Sequence, residues 1–482
     1  MKYLYILLAL VGVMTSCGVS HPSEPSGAVK VDTLPALYPD YTDVTVPANI
    51  APLRFMVADR SVDECVARLE GPFGTLTYGD GRKVLIDEQE WQEVLHSARG
   101  NQFSVTLYTR SEGQWRQHPA FSIHVATDSI DPWLSYRLIE PSYVAYEDID
   151  LVQRNVTSFQ ESVFASNHIG QRCDQCLNCH SYQNYHTENM LYHVRGAGGG
   201  TMLIRQGHAR LMTAMRREGM ISNPVYPAWH PTLPLIAFST NHTGQFFHTQ
   251  SVAKVEVQDT ESALVLYDVE RDSMYVLPHD PERYDNFPTW SPDGRRLYYT
   301  SAQYVPFDTT TRLDRDIANH YQEMQYNLMC CDFCPDSMTF GQPQLLLDLV
   351  AQGQSASLPR VSPDGRSLLY ASGMFGCFHI WHPDADIRRL DLTTMQIDSL
   401  QALNSARAES YPTWSSNGRW IIFATRRDDS NYSRVCISYF DAEGRAHKAF
   451  ALPQADPEHD CLMLRSYNRP EPMVEQVSII KN

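Results

Sequence analysis

The residues best placed to do chemistry are Cys176-Leu-Asn-Cys179-His180, a C-x-x-C-H pentapeptide. Two thiols three positions apart can reach the two vinyl groups along one edge of a porphyrin. The histidine directly after them can then bring its imidazole under the iron. On this reading Cys176 and Cys179 form thioethers to one covalent haem c, and His180 is its proximal axial ligand. For the distal position His193 is favoured, then Met190; His168, His186 and Met202 also lie near in sequence. Cys173 sits one C-x-x-C step earlier and leaves two alternatives open. Cys173, Cys176, Cys179 and His180 make a cramped Cys₃His zinc set, and a pair of these cysteines makes a structural disulfide.

The other reactive residues carry less. Cys330, Cys331 and Cys334 have no histidine after them, so a disulfide plus one remaining thiol is expected there and not a second haem. His379, His382, Asp384 and Asp386 are a cation set on paper, but turn capping is the preferred reading. No G-x-S-x-G elbow and no glycine-rich phosphate loop occurs, since Gly196-Ala-Gly-Gly-Gly200 follows no strand in the required register. With no catalytic constellation in sight, the chain is not expected to be an enzyme.

The chain has 482 residues and a formal net charge of −17, which argues against nucleic acid as a partner. Its first residues read as an address. Lys2 precedes an apolar run from Tyr3 to Met14, too short to span a bilayer, and Met14-Thr-Ser-Cys17 resembles a bacterial lipobox. Residues 1–16 are therefore expected to be a signal peptide and Cys17 an acylated anchor, with 17–46 as a polar tether. The absence of an acidic cluster directly after Cys17 points to the periplasmic face of the outer membrane.

Four segments repeat one another: Tyr226-Pro-Ala-Trp229, Phe287-Pro-Thr-Trp290, Leu358-Pro-Arg-Val361 and Tyr411-Pro-Thr-Trp414. Two of them run into Ser-Pro-Asp-Gly, where proline fixes φ and glycine takes the positive φ of a tight turn. An apolar run such as Leu297-Tyr-Tyr-Thr300 then supplies the partner strand. A period of roughly fifty residues signals a propeller blade. These repeats resemble the TolB-type, WD40-like propeller family from about Ile221 onward. Together with Tyr136-Arg-Leu-Ile-Glu-Pro141, Asn178-Cys-His-Ser181 and Ile380-Trp-His-Pro-Asp-Ala-Asp386, the chain resembles a family of Bacteroidota TolB-like propeller lipoproteins labelled as cytochrome c related. That resemblance implies the fold and the haem attachment, and no defined activity.

An all-β chain is therefore expected. A small β-sandwich of the immunoglobulin or fibronectin type III kind spans 47–130, with a short helix from Asp87 to Arg99. A propeller of about six blades spans 131–482, the haem motif lying in a loop at 173–200. A fifth blade is expected from Ser135 to Asn167. Tyr192 to Ile204 plus Ala446 to Leu452 would complete another. The expected function is electron transfer or docking of redox partners, either other exported proteins or a membrane complex at the cell envelope. The alternatives are a non-redox binding scaffold like TolB, and a propeller oxidoreductase with a haem relay.

Overall fold

The computed structural model describes residues 21–140, 148–167, 176–196, 199–212, 215 and 217–479. The signal segment, Cys17, His168 and Cys173 lie outside the described residues.

The chain is mostly β. From residue 133 onward it forms six antiparallel sheets in chain order, a β-propeller-like arrangement. The second sheet runs Cys176–Gln183, His186–Arg195, Gly200–Arg205 and His208–Met212; the third starts at Pro224–Trp229, the fourth at Arg283–Trp290, the fifth at Ser355–Val361 and the sixth at Glu409–Trp414. The first sheet is made from both ends of this region. Trp133–Ile139, Ile149–Asn155 and Glu161–Ser166 are joined by Ser466–Met473, which pairs along Trp133–Ile139 as the innermost strand. Each innermost strand contacts the next, and Ser466–Met473 contacts both Glu409–Trp414 and Cys176–Gln183, so the ring is closed.

Apolar side chains fill every space between neighbouring sheets. Leu151, Met190 and Met473 lie between the first and second, Leu191, Trp229 and Ile236 between the second and third, and Leu369, Trp414 and Phe423 between the fifth and sixth. The tryptophans also tie sheets together by hydrogen bonds. Trp290 Nε1 donates to the Ala228 carbonyl at 3.1 Å and Trp414 Nε1 to the Arg360 carbonyl at 3.3 Å. The Ser-Pro-Asp-Gly turns form as expected, with Gly294 and Gly365 at φ 68° and 72°. In the third sheet His230 stands at the serine position and Thr232 at that of the aspartate, and the histidine takes over the capping. Its Nδ1 accepts from the Thr232 and Leu233 amides at 3.2 and 3.0 Å, as Asp293 accepts from Arg295.

The N-terminal unit holds a seven-stranded sheet, a three-stranded sheet and one helix, Glu88–Ala98. Asp87 caps that helix by accepting from the Gln89 and Glu90 amides, and Trp91, Val94 and Leu95 are its buried face. The core here runs without a break into the propeller-like part. Trp91 and Val105 belong to the same cluster as Tyr136 of the first sheet and Trp420 and Ile437 of the sixth.

Three expectations are corrected. The described part of the tether, residues 21–46, is built into the N-terminal unit. Val29–Lys30 pairs with Gln114–Gln117 and Thr45–Val46 with Phe121–Val125, because open sheet edges offer backbone partners and Val44 and Val46 enter the core. The motif segment 173–200 is not a loop in its described part, since Cys176–Gln183 and His186–Arg195 are paired strands. Tyr192 to Ile204 and Ala446 to Leu452 do not share a blade. The former belongs to the second sheet, and Phe450–Ala451 is the outer strand of the sixth.

Candidate functional site

The innermost strands of all six sheets share one irregularity. In each, two consecutive residues face a single residue of the neighbouring strand, which is a β-bulge. The first residue of each pair has a left-handed backbone: Cys179, Tyr226, Phe287, Leu358, Tyr411 and Arg469, with φ between 49° and 54°. The second is proline in five sheets and His180 in the remaining one. The single residue opposite is a buried aromatic every time: Tyr136, Tyr192, Phe238, Tyr299, Tyr370 and Phe423. A left-handed non-glycine residue costs about 1–2 kcal/mol. One fully buried large side chain returns about 1.5–3 kcal/mol, so the aromatic under each bulge is enough to hold it.

Cys179-His180-Ser181-Tyr182 is thus the second sheet's version of the aromatic-Pro-x-Trp repeat. The bulge has a chemical consequence. On a regular strand residues three apart point to opposite faces. Here the left-handed turn at Cys179 restores a common side, and Cys176, Asn178 and Cys179 all line one cavity of about 230 Å³. That cavity opens at the strand-start end of the ring. Tyr226, Tyr411 and Arg469, three of the left-handed residues, line it too. Beyond it the prolines close a narrow waist. A second cavity of about 160 Å³ lies on the far side, lined by Tyr182, Trp229, Trp290 and Trp414.

His180 is buried; neither ring nitrogen makes a well-formed hydrogen bond among the described residues, and the Ser135 backbone is the polar group beside the ring. Burial, helped by Arg469, Arg137 and Arg360, holds its pKa well below the usual range, so the imidazole is neutral. Two thiols on one cavity and a neutral imidazole next to them in the chain are the donor types that haem c uses; His180 itself is buried and does not line that cavity. As a free thiol Cys176 would be a poor nucleophile. Burial pushes the Cys176 thiol up, and Arg137 and Arg195 offset this only in part.

The other expected residues are placed elsewhere. Met190 is packed between the first and second sheets, and His193 lies 3.3 Å from the Thr201 hydroxyl through Nδ1; neither lines the cavity. His186 is exposed beside Glu475. Cys330 and Cys331 point to opposite faces of their strand, into the fourth–fifth and third–fourth spaces respectively, and Cys334 is exposed. Among the described residues all nine cysteines are free, which corrects the expected disulfide, because neighbours on a strand cannot turn toward one another. His379 bonds to the Ser357 hydroxyl at 2.8 Å, His382 to Glu256 at 2.8 Å, and Asp384 accepts from the Met374 amide. Among the described residues no group of three or more His, Cys, Asp or Glu is placed to hold a metal ion.

Sequence reasoning missed the wall of the cavity. Arg137, Arg195, Arg426 and Arg469 line it, with Trp381 and Phe378. They come from three sheets and from distant parts of the chain, so no local spacing marks them. Arg469 is held by Glu471 at 3.0 Å, and Glu471 also pairs with Arg360.

No family model matches this chain, and no curated protein does. Among solved structures it is similar to prolyl oligopeptidase B from Galerina marginata bound to a 25mer macrocyclization substrate, at 9% identity and TM-score 0.36, covering 76% of this chain and 46% of that one. It is similar to a luciferin-regenerating enzyme at 8% identity and TM-score 0.36, covering 66% and 90%. It is similar to oligogalacturonate lyase from Vibrio parahaemolyticus at 11% identity and TM-score 0.31, covering 72% and 87%. The chain thus spans less than half the length of the prolyl oligopeptidase.

Proposed function

We propose that this chain is an exported lipoprotein whose six-bladed, TolB-like propeller, set behind an N-terminal β-sandwich, carries one covalent haem c and exchanges electrons with redox partners at the cell envelope. The observation that carries this reading is that Cys176 and Cys179 line one cavity, with the buried, neutral His180 next to them in the chain. Export and anchoring at Cys17 rest on the lipobox-like Met14-Thr-Ser-Cys17. Placement on the periplasmic face of the outer membrane rests on Gly18-Val-Ser-His-Pro22, which holds no acidic residue.

When bound, haem supplies a one-electron iron couple. The residues of this chain do the rest. Cys176 and Cys179 would hold the group by two thioethers, so attachment would not depend on a fully enclosing pocket. His180 presents a nitrogen that is already deprotonated, and its ring is fixed by the bulge. Tyr226, Tyr411 and Trp381 supply apolar walls that keep water from that side. The closed ring behind them is a rigid platform, which keeps the reorganisation on electron transfer small.

The test is mass spectrometry of the peptide spanning 176–180, taken from protein made in a host that matures haem c. The expected result is one added haem mass and a sharp Soret band that survives acid-acetone extraction. An unmodified peptide would leave the second reading, a propeller that binds a ligand without redox chemistry. The arginine-lined cavity favours that reading in its own right.

A further inference from the structure

Two of the arginines in the cavity wall are buried cations that pair with no carboxylate among the described residues. Arg137 lies on Trp133–Ile139 of the first sheet and Arg426 just after Trp420–Thr425 of the sixth; they are 8% and 3% exposed. Among the described residues Arg137 makes one long bond, from Nη1 to the Leu177 carbonyl at 3.4 Å. Arg426 donates from Nε to the Ile380 carbonyl at 2.6 Å and from Nη1 to the Asn431 carbonyl, and its guanidinium lies 3.4 Å from the centre of the Trp381 ring. Its Nη2 has no protein acceptor among the described residues. The nearest acidic residue acting on it, Asp429, is engaged by the Asn431 and Tyr432 amides.

A buried, unpaired guanidinium carries a large desolvation penalty, and stacking on an aromatic face leaves its donor edge open for a planar acceptor. The two arginines face one place, since both line the same cavity together with Tyr411. Four arginines and one glutamate, Glu140, line the cavity, and Arg469 is already paired with Glu471. Arg137 and Arg426, which pair with no carboxylate among the described residues, suit one planar carboxylate that their forks match.

We propose that Arg137 and Arg426 form a carboxylate-binding site in the wall of the cavity on the ring axis. It goes beyond the haem reading and does not depend on it. The carboxylate comes either from a side chain of the attached porphyrin or from a free organic acid.

The test is calorimetric titration of the mature chain with succinate, and with succinamide as the uncharged control, at low ionic strength. The C176S/C179S chain, which cannot attach haem, is expected to bind succinate and not succinamide. R137Q and R426Q, each added to that chain, should weaken binding at least tenfold; R426K, which keeps the charge and loses the fork, should fall between. If R426Q does not fold, R137Q and R426K decide. If the acid comes from the porphyrin, the haem-loaded wild type no longer binds succinate; if it is free, the loaded protein binds as well. Absence of haem is read separately from the peptide mass and leaves the succinate measurement standing. No succinate binding by the C176S/C179S chain, or binding that both glutamine variants leave unchanged, overturns the proposal.

Discussion

Cys179 and Tyr226 hold the same left-handed backbone, at φ 53° and 51°, on neighbouring innermost strands. The same position in the other four sheets does likewise, so the conformation of the cysteine belongs to the ring and not to its chemistry. A residue that tolerates positive φ is therefore required at 179 whether or not a thioether forms. Cys179→Gly should leave stability within about 1 kcal/mol of wild type, and the β-branched Cys179→Val should lose about 1–3 kcal/mol. Urea denaturation of both variants checks this.

His180 occupies the place that proline takes in the five other sheets. A backbone that accepts proline there five times makes no demand on the N–H at that position. His180→Pro should therefore fold with a melting temperature close to wild type. If haem is attached as proposed, the variant should keep haem mass on the peptide and show a shifted Soret band. Loss of folding in this variant would mean that the second sheet departs from its neighbours.

His193 is buried between Arg195 and Thr201, opposite Asn178, and burial followed by Arg195 brings its pKa down to about 4. The unfolded chain takes up a proton near pH 6.5 and the folded chain does not. Stability from this group is therefore complete above pH 6.5 and is lost as pH falls toward 4, by up to about 3 kcal/mol. His193→Gln should remove that part of the acid sensitivity. The comparison is of denaturation midpoints at pH 7 and pH 4.5 for wild type and variant.

Trp420 joins the N-terminal unit to the sixth sheet. It is fully buried in the continuous core, and its Nε1 donates to the Ser129 carbonyl at 3.1 Å. Trp420→Ala should lose about 3–5 kcal/mol. Trp420→Phe, which keeps most of the packing and drops the hydrogen bond, should lose about 1–2 kcal/mol. Because the core is shared, the two parts should unfold in one transition by fluorescence and by circular dichroism alike.

Much of the ring was legible in the sequence, for physical reasons. Tyr411-Pro-Thr-Trp414 and Phe287-Pro-Thr-Trp290 announce themselves because proline, tryptophan and a Ser-rich turn occur at fixed offsets. Two repeats were hidden. Cys179-His-Ser-Tyr182 carries neither the proline nor the tryptophan, and its C-x-x-C-H pattern drew attention as chemistry and not as a bulged strand. Arg469-Pro-Glu-Pro472 has the proline but no apolar start, since it sits at the waist as part of an ion-paired group with Arg360. The aromatic that faces each bulge was present in the quoted runs, as in Leu297-Tyr-Tyr299, yet only pairing assigns it that role. The arginines of the cavity were invisible because they meet only when the first and sixth sheets become neighbours. The described part of the tether misled because low hydrophobicity says nothing about edge pairing by the backbone.

The first sheet depends on residues far apart in the chain: the Ser135 hydroxyl bonds to the Glu471 carbonyl across 336 positions. A ribosome must release nearly the whole propeller-like part before this strand can dock. Until then Trp133–Ile139 presents an open edge to the surroundings. A message cut short before residue 466 would yield a polypeptide with most of its sheets made and its circle unsealed. Such a product would be a ready substrate for proteases, so completion of synthesis is itself proofread by the geometry of the ring.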